Sequence, residues 1–161
     1  MSDWPGWAGV GVSLISLGFS AYATQDARRA RNEAKRAREQ AAIDRLDNQH
    51  QIKRSHWEPW GIETNLAGLR SSIAEWRDLC AQQLDALPKN TERWFLVRDL
   101  ADAANAFGRA TDDIAQHHTG PSGYIPVTGD DNATVAAALQ QFQHKTSDVL
   151  NKLLKRVEAA G

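Results

Sequence analysis

The chain has a single cysteine and lacks the short motifs by which most catalytic and metal-binding domains are recognised. With no second cysteine, Cys80 cannot form an internal disulfide, which fits a reducing compartment, and its apolar helical setting favours a buried filler. There is no glycine-rich phosphate loop, paired-cysteine motif, H-E-x-x-H or G-x-S-x-G. The Glu-x-x-His pairs of ferritin-like di-metal bundles are also missing, so we expect no metal and no cofactor.

No segment alternates apolar and polar residues over any length, so the sequence predicts no β-sheet. Three stretches instead carry apolar residues at helical spacing, which predicts helices over about 60–87, 91–117 and 131–159. Their predicted core stripes are Ile62, Leu66, Leu69, Ile73, Trp76 and Cys80, then Val97, Leu100, Ala104, Phe107, Thr111 and Ile114, then Val135, Leu139, Phe142, Thr146, Val149, Leu153 and Val157. Such helices pack as an antiparallel three-helix bundle, to which a long helix over residues 24–55 can add a fourth member.

Helix boundaries and the end of the long helix carry their own predictions. Asn90 is a candidate N-cap of the third helix, and Asp131 or Asn132 of the fourth. Three larger apolar residues on the long helix are expected to face the bundle, and these are Ile43, Leu46 and Ile52. Pro88 is expected to end the second helix.

Charge is absent between Trp7 and Ala23. At 1.5 Å per residue these 17 residues form a helix of roughly 25 Å, near the lower limit for crossing a bilayer. Trp4 and Trp7 at one end and Tyr22 at the other are residue types that anchor helices at membrane interfaces. The sequence therefore predicts a single transmembrane helix. A cleaved signal peptide ending at Ala23 and a peripheral amphipathic helix stay open as alternatives.

Positive charge is concentrated just after this predicted anchor. Residues 28–38 carry six cations and one carboxylate, whereas from Trp57 onward ten Lys and Arg face fourteen Asp and Glu. The six cations are Arg28, Arg29, Arg31, Lys35, Arg36 and Arg38. By the positive-inside rule they lie in the cytoplasm, which predicts an inner (cytoplasmic) membrane protein with its N-terminus outside and anionic headgroups as a partner. The chain is not basic overall and no aromatic residue separates the arginines, which argues against nucleic acid.

Small residues recur at alternating steps of four and three along the anchor and the charged helix. This small-residue stripe consists of Gly9, Ser13, Ser16, Ser20, Ala23, Ala27, Ala30, Ala34, Ala37 and Ala41. A step averaging 3.5 residues keeps a stripe facing a supercoiled neighbour, and small side chains let two backbones approach closely. The pattern predicts a coiled-coil seam, either within the chain or, as the short side chains favour, between copies in a homo-oligomer.

The predicted domains are residues 1–23 (tail and anchor), 24–56 (charged juxtamembrane helix) and 57–161 (cytoplasmic bundle). This organisation indicates a non-catalytic, self-associating scaffold that presents its bundle to a cytoplasmic protein partner. The alternative is a pore-forming, holin- or toxin-like protein in which the serines of the stripe line a polar path. The bias toward Ala, Arg and Asp is similar to that of small membrane proteins of bacteria with GC-rich genomes, a likeness of composition that implies no activity.

Two histidine constellations make an enzyme the second alternative. Arg45 and His50 form an R-x4-H element, which resembles the catalytic motif of HEPN-type ribonucleases, themselves small helical bundles. The resemblance covers these two residues and implies a ribonuclease with Arg45 and His50 as its catalytic pair. The second constellation lies at the C-terminal end of the helix predicted over about 91–117. It combines carboxylates and imidazoles, which can bind a metal or move protons. Its members are Asp112, Asp113, His117 and His118.

Overall fold

The described part of the chain is helical. The computed structural model describes residues 7–57, 65–117, 127 and 129–158, with side chains described over 24–57, 65–117, 127 and 129–155. These residues form four α-helices and no strand, which confirms the all-α prediction for this part of the chain. The helices are α1 (Trp7–Trp57), α2 (Leu66–Leu84), α3 (Glu92–His117) and α4 (Asp130–Glu158).

The chain divides into two compact units, Met1–Arg38 and Glu39–Gly161. In the first unit α1 is helical from Trp7 onward, and every described side chain, from Thr24 to the end of the unit, is exposed. In the second unit the last part of α1 packs with α2, α3 and α4 into a helical bundle with one hydrophobic core. The apolar residues needed for a core are thus confined to the second unit among the described side chains.

The predicted stripes of α2, α3 and α4 form this core. The buried members are Leu66, Leu69, Ile73, Trp76 and Cys80 on α2, Val97, Leu100, Ala104, Phe107, Thr111 and Ile114 on α3, and Val135, Leu139, Phe142, Thr146, Val149 and Leu153 on α4. Ile62 and Val157 lie outside the described side chains. Every described member of the stripes is buried, which confirms the helical periodicity.

The last part of α1 supplies a fourth stripe. Ile43 and Leu46 are fully buried as predicted, but Ile52 is 50% exposed, so its predicted core role is wrong. Ile52 follows Leu46 by six residues, which places it about 240° around the helix from the buried side. His50, one turn after Leu46, takes the inward position instead and is 8% exposed. Trp57 completes the stripe with 1% of its surface exposed.

Contacts between α1 and α2 fix their relative direction. Trp57 Nε1 donates a hydrogen bond to Ser72 Oγ at 3.1 Å, and Lys53 Nζ pairs with Glu75 Oε2 at 2.8 Å. Residue numbers rise on α2 as they fall on α1, so the two helices are antiparallel. The short turn of residues 85–91 then returns the chain along α2 as α3. The bundle thus alternates in direction from helix to helix over this part of the chain.

Helix ends differ from the predictions because turn geometry decides them. Thr91, not Asn90, caps α3, since Thr91 Oγ1 accepts a hydrogen bond from Trp94 N at 3.3 Å. Asn90 has φ 61°, a left-handed conformation that Asn tolerates, and it belongs to the preceding turn. α2 ends at Leu84, three residues before the predicted end, yet Leu87 in the turn is still buried.

The fourth helix also begins earlier than predicted. α4 starts at Asp130, directly after Gly129 with φ 60°, and Asn132 N donates to Gly129 O at 3.1 Å. Asp131 and Asn132 therefore lie inside the first turn, and their predicted capping role is wrong. Carboxylates in this first turn stabilise the positive end of the helix dipole.

Candidate functional site

The basic segment, residues 28–38, is a fully exposed stretch of α1. Its six cations, Arg28, Arg29, Arg31, Lys35, Arg36 and Arg38, all have exposed side chains. At 100° per residue, these six positions fall within about 180° of the helix circumference, so the cations share one side of α1. The segment can therefore present guanidinium and ammonium groups together to an anionic surface.

The described part of the small-residue stripe is exposed as well. Its members there are Ala27, Ala30, Ala34, Ala37 and Ala41. Burial into the bundle begins at Ala42, one position away from the stripe. The five described members of the stripe therefore all have exposed side chains. The members before Thr24, namely Gly9, Ser13, Ser16, Ser20 and Ala23, have side chains outside the described part.

The predicted membrane anchor is helical in its backbone from Trp7 onward. Trp4 lies outside the described residues, and the side chains of Trp7 and Tyr22 lie outside the described side chains. In the part of the chain that the structure describes, no helix is long and apolar enough to cross a membrane. Membrane crossing by residues 7–23 stays a prediction.

The described members of the constellation at the end of α3 are not assembled as a single site. Asp112 Oδ1 pairs with Arg70 Nη2 at 2.5 Å, so this carboxylate is held toward α2. The His117 ring, through Nδ1, lies 2.6 Å from the main-chain oxygen of Asp113, one turn earlier. His118 lies outside the described residues. Among the described side chains, no group of three or more His, Cys, Asp or Glu is placed to hold a metal ion.

The R-x4-H element is split between two sides of α1. Five residues correspond to about 140° of helix rotation, so Arg45 is exposed while His50 is buried. The His50 ring centroid lies 5.9 Å from those of both Trp57 and Trp76. The two residues of the motif therefore do not converge on one substrate position in this chain.

Burial of His50 has an electrostatic consequence. Desolvation lowers the pKa of His50 below its ordinary value of 6.5, the nearby Arg54 lowers this pKa further, and Asp47 opposes the shift. The folded chain therefore binds this proton more weakly than the unfolded chain does. The stability contributed by neutral His50 is complete above pH 6.5 and is lost as the pH falls below that value.

We expect the free energy of unfolding to decrease below pH 6.5 with a component from His50 of at most about 1.4 kcal/mol per pH unit. Chemical denaturation between pH 7.5 and 5 measures the free energy of unfolding of the wild-type chain and of His50→Phe. The His50 component is the difference between the two slopes of this free energy against pH. The matched control is His144→Gln, which alters an exposed histidine of α4 and should keep the wild-type slope. Equal slopes in wild type and His50→Phe would contradict the assignment.

Sequence reasoning did not single out the ion pairs that join the helices. Arg70 of α2 reaches α3, and Arg93 Nη1 of α3 lies 3.4 Å from Glu39 Oε2 at the start of the bundle part of α1. Such pairs depend on which turns of two helices lie side by side, and no spacing within one helix encodes that.

Comparison of the chain with protein-family models, curated proteins and solved structures finds no match.

Proposed function

We propose that this chain is a single-pass, membrane-anchored scaffold that self-associates along α1 and presents its helical bundle to a cytoplasmic protein partner. The observation that carries the proposal is that residues 24–38 are helical yet exposed on every side. None of the described core residues lies in this stretch. It directly follows the charge-free residues 7–23 of the same helix.

The charge pattern supports attachment to a bilayer. Lys and Arg side chains near anionic lipid each contribute about 1 kcal/mol of attraction, and long basic side chains can extend their charge toward headgroups. All six cations of the basic segment are exposed, so none is neutralised by burial. Under the positive-inside rule, their position after residues 7–23 supports a cytoplasmic bundle.

Exposure of the small-residue stripe supports self-association. Helices without tertiary contacts are marginally stable in water, because most helical stability in proteins comes from packing of one face. The described alanines of the stripe offer such a face, and their small size permits close approach of a second helix. A second copy of α1 supplies the same stripe in the same register. The proposed oligomer is therefore a parallel pair, or a small parallel bundle, of α1 helices.

The bundle also offers a surface for a protein partner. Phe95 on α3 is 40% exposed, and the guanidinium of Arg98 lies 5.0 Å from its ring centre and 5.4 Å from that of Trp94. Aromatic and arginine side chains are enriched in protein interfaces. This cluster at the beginning of α3 is the part of the bundle that we assign to partner binding.

Single cysteines on the stripe should crosslink between copies. We expect Ala30→Cys, Ala34→Cys and Ala37→Cys to give disulfide-linked dimers in isolated membranes several times more readily than Arg31→Cys and Lys35→Cys. The control positions share the same exposed turns of α1 but lie about 100° around the helix from the stripe. Gel electrophoresis without reductant after mild oxidation measures the yields.

The wild-type chain serves as the blank in this experiment. Its single cysteine, Cys80, is buried, and burial raises the pKa of the thiol well above its usual range, so it contributes no crosslink. No substitution in the core is then needed. Equal yields at stripe and control positions would refute the seam, and absence of dimer at every position would refute self-association along this segment.

A further inference from the structure

A groove on the surface of the bundle runs between α2 and α3. Its volume is about 250 Å³, and its lining includes the small residues Ala74, Ala104 and Gly108. Three arginines also line it, Arg70 and Arg77 on α2 and Arg109 on α3. Neither the scaffold proposal nor the sequence motifs make use of these residues.

Arg70 closes one part of this α2–α3 groove. Its Nη1 donates to Gly108 O at 3.1 Å and to Thr111 Oγ1 at 2.7 Å, and its Nη2 pairs with Asp112 Oδ1 at 2.5 Å. These three hydrogen bonds cross from α2 to α3 and hold the two helices at a set distance. They also engage Asp112, the single acidic side chain among the described residues that line the groove.

One of the three arginines of the groove is not ion-paired. Arg109 is exposed and forms no ion pair among the described residues, whereas Arg77 pairs with its sequence neighbour Asp78 at 2.7 Å. With Asp112 held by Arg70, the donors left in the lining are the guanidinium of Arg109, the unused N–H groups of Arg77 and the amide of Asn105. Planar guanidinium groups bind phosphate oxygens through paired hydrogen bonds, which a lone ammonium cannot do.

Gly108 lies in the lining of the groove. Glycine inside a helix costs about 0.5–1 kcal/mol relative to alanine. A Cβ added at Gly108 would meet no atom within 4 Å, so the space over this residue is open. A ligand in the groove can therefore approach the backbone at this position.

We infer that the α2–α3 groove is a binding site for a phosphate group, held between Arg77 and Arg109 with Asn105 as a further donor. The volume of about 250 Å³ is below the range of roughly 300–1,000 Å³ that is usual for drug-sized ligands, and it suits pyrophosphate or a small phosphate ester. The inference does not rest on membrane attachment or on self-association.

Isothermal titration calorimetry tests the site. The full chain is held in a neutral detergent and titrated with inorganic pyrophosphate, at low ionic strength and without divalent cations. We expect saturable binding that weakens about tenfold or more in Arg77→Gln and in Arg109→Gln, because each loses a charge-assisted pair. The matched control is Lys155→Gln, which removes an exposed cation of α4 that does not line the groove, and it should bind as wild type does. Equal weakening in the control would overturn the site in favour of diffuse charge attraction.

Gly108→Leu separates binding from folding. Leucine has a higher helix propensity than glycine and its Cβ would meet no atom within 4 Å, so we expect the bundle to stay folded in a denaturation control, whereas pyrophosphate binding should be lost. Retained binding in this variant would overturn the inference. A parallel titration with soluble short-chain phosphatidic acid identifies the source of the phosphate: binding of pyrophosphate indicates a free solute, and binding of the lipid alone indicates a headgroup. The phosphate site would be refuted if neither pyrophosphate nor phosphatidic acid bound. It would also be refuted if only an acidic peptide, titrated in the same way, bound to the chain.

Discussion

Replacing Trp57 by alanine is expected to lower the free energy of unfolding of the bundle by about 3–5 kcal/mol, the usual range for truncating a buried aromatic residue. Bundles of this size have total stabilities of only about 5–15 kcal/mol. The substitution should therefore remove a large part of the stability of the second unit. It is the largest single-residue effect on stability that we expect in this chain.

The reason is that Trp57 joins three helices at once. Its ring centroid lies 5.0 Å from that of Phe142 on α4 and 6.0 Å from that of Trp76 on α2, both in edge-to-face geometry. Its Nε1 donates to Ser72 on α2, and its main-chain oxygen accepts from Gln143 Nε2 on α4 at 3.0 Å. Removing the ring leaves a cavity where α1, α2 and α4 meet.

Thermal and urea denaturation followed by circular dichroism measures the effect. Trp94→Ala is the matched control, because Trp94 is a partly exposed tryptophan on α3 and its loss should cost much less. Trp57→Phe should fall between the two, since it keeps a ring but loses the hydrogen bond to Ser72, worth about 1 kcal/mol. Equal destabilisation by Trp57→Ala and Trp94→Ala would contradict the central position of Trp57.

Neutralising the basic segment is expected to abolish the fixed orientation of the chain in the membrane. With Arg28, Arg29, Arg31, Lys35, Arg36 and Arg38 all changed to Gln, no positive charge remains near the cytoplasmic end of the proposed anchor. Lys and Arg close to a transmembrane helix decide which side stays in the cytoplasm. A substantial share of the molecules should then place the bundle outside the cell.

Labelling of Asn48→Cys with a membrane-impermeant maleimide measures this orientation. Asn48 is exposed on α1 within the bundle unit, whereas Cys80 is buried and should not react. In intact cells the wild-type segment should leave the new cysteine unlabelled, and the neutralised segment should allow labelling. A control variant removes the same number of exposed cations, six, from the bundle instead of the basic segment. It changes to Gln the residues Lys89, Arg98, Arg109, Lys145, Lys152 and Lys155.

This control should keep the wild-type orientation, because its charges lie far along the chain from residues 7–23. Labelling of the wild-type segment from outside would refute the proposed topology. Release of the full chain from membranes by high salt would refute the anchor itself, since only an electrostatically bound protein washes off in this way.

Periodicity predicted the bundle well because it is a local property. The described stripes of α2, α3 and α4 are buried throughout, including Thr111 and Thr146, which are polar residues at apolar positions. Extrapolation failed at Ile52, where hydrophobicity alone was used and the residue lies off the buried side of α1. His50 was noticed for its spacing from Arg45, although its position one turn after Leu46 already indicated a core residue.

Helix ends and grooves were harder to predict because they depend on three-dimensional context. The left-handed residues Asn90 and Gly129 end the turns that precede α3 and α4, and several nearby residues could have served as caps equally well. Arg70, Arg77 and Arg109 come together only because α2 and α3 pack in one particular register. In the sequence they are separated by 7 and 32 positions and resemble ordinary surface residues.

The hydrogen bond from Gln143 to the carbonyl of Trp57 spans 86 positions of the chain, which has a consequence for biosynthesis. At about 5–20 residues per second, a ribosome needs roughly 4–17 s to add 86 residues. During that interval Trp57 has been synthesised, but Phe142 and Gln143, its contacts on α4, have not. We therefore expect the ring and the carbonyl of Trp57 to reach their buried setting only after α4 has been translated.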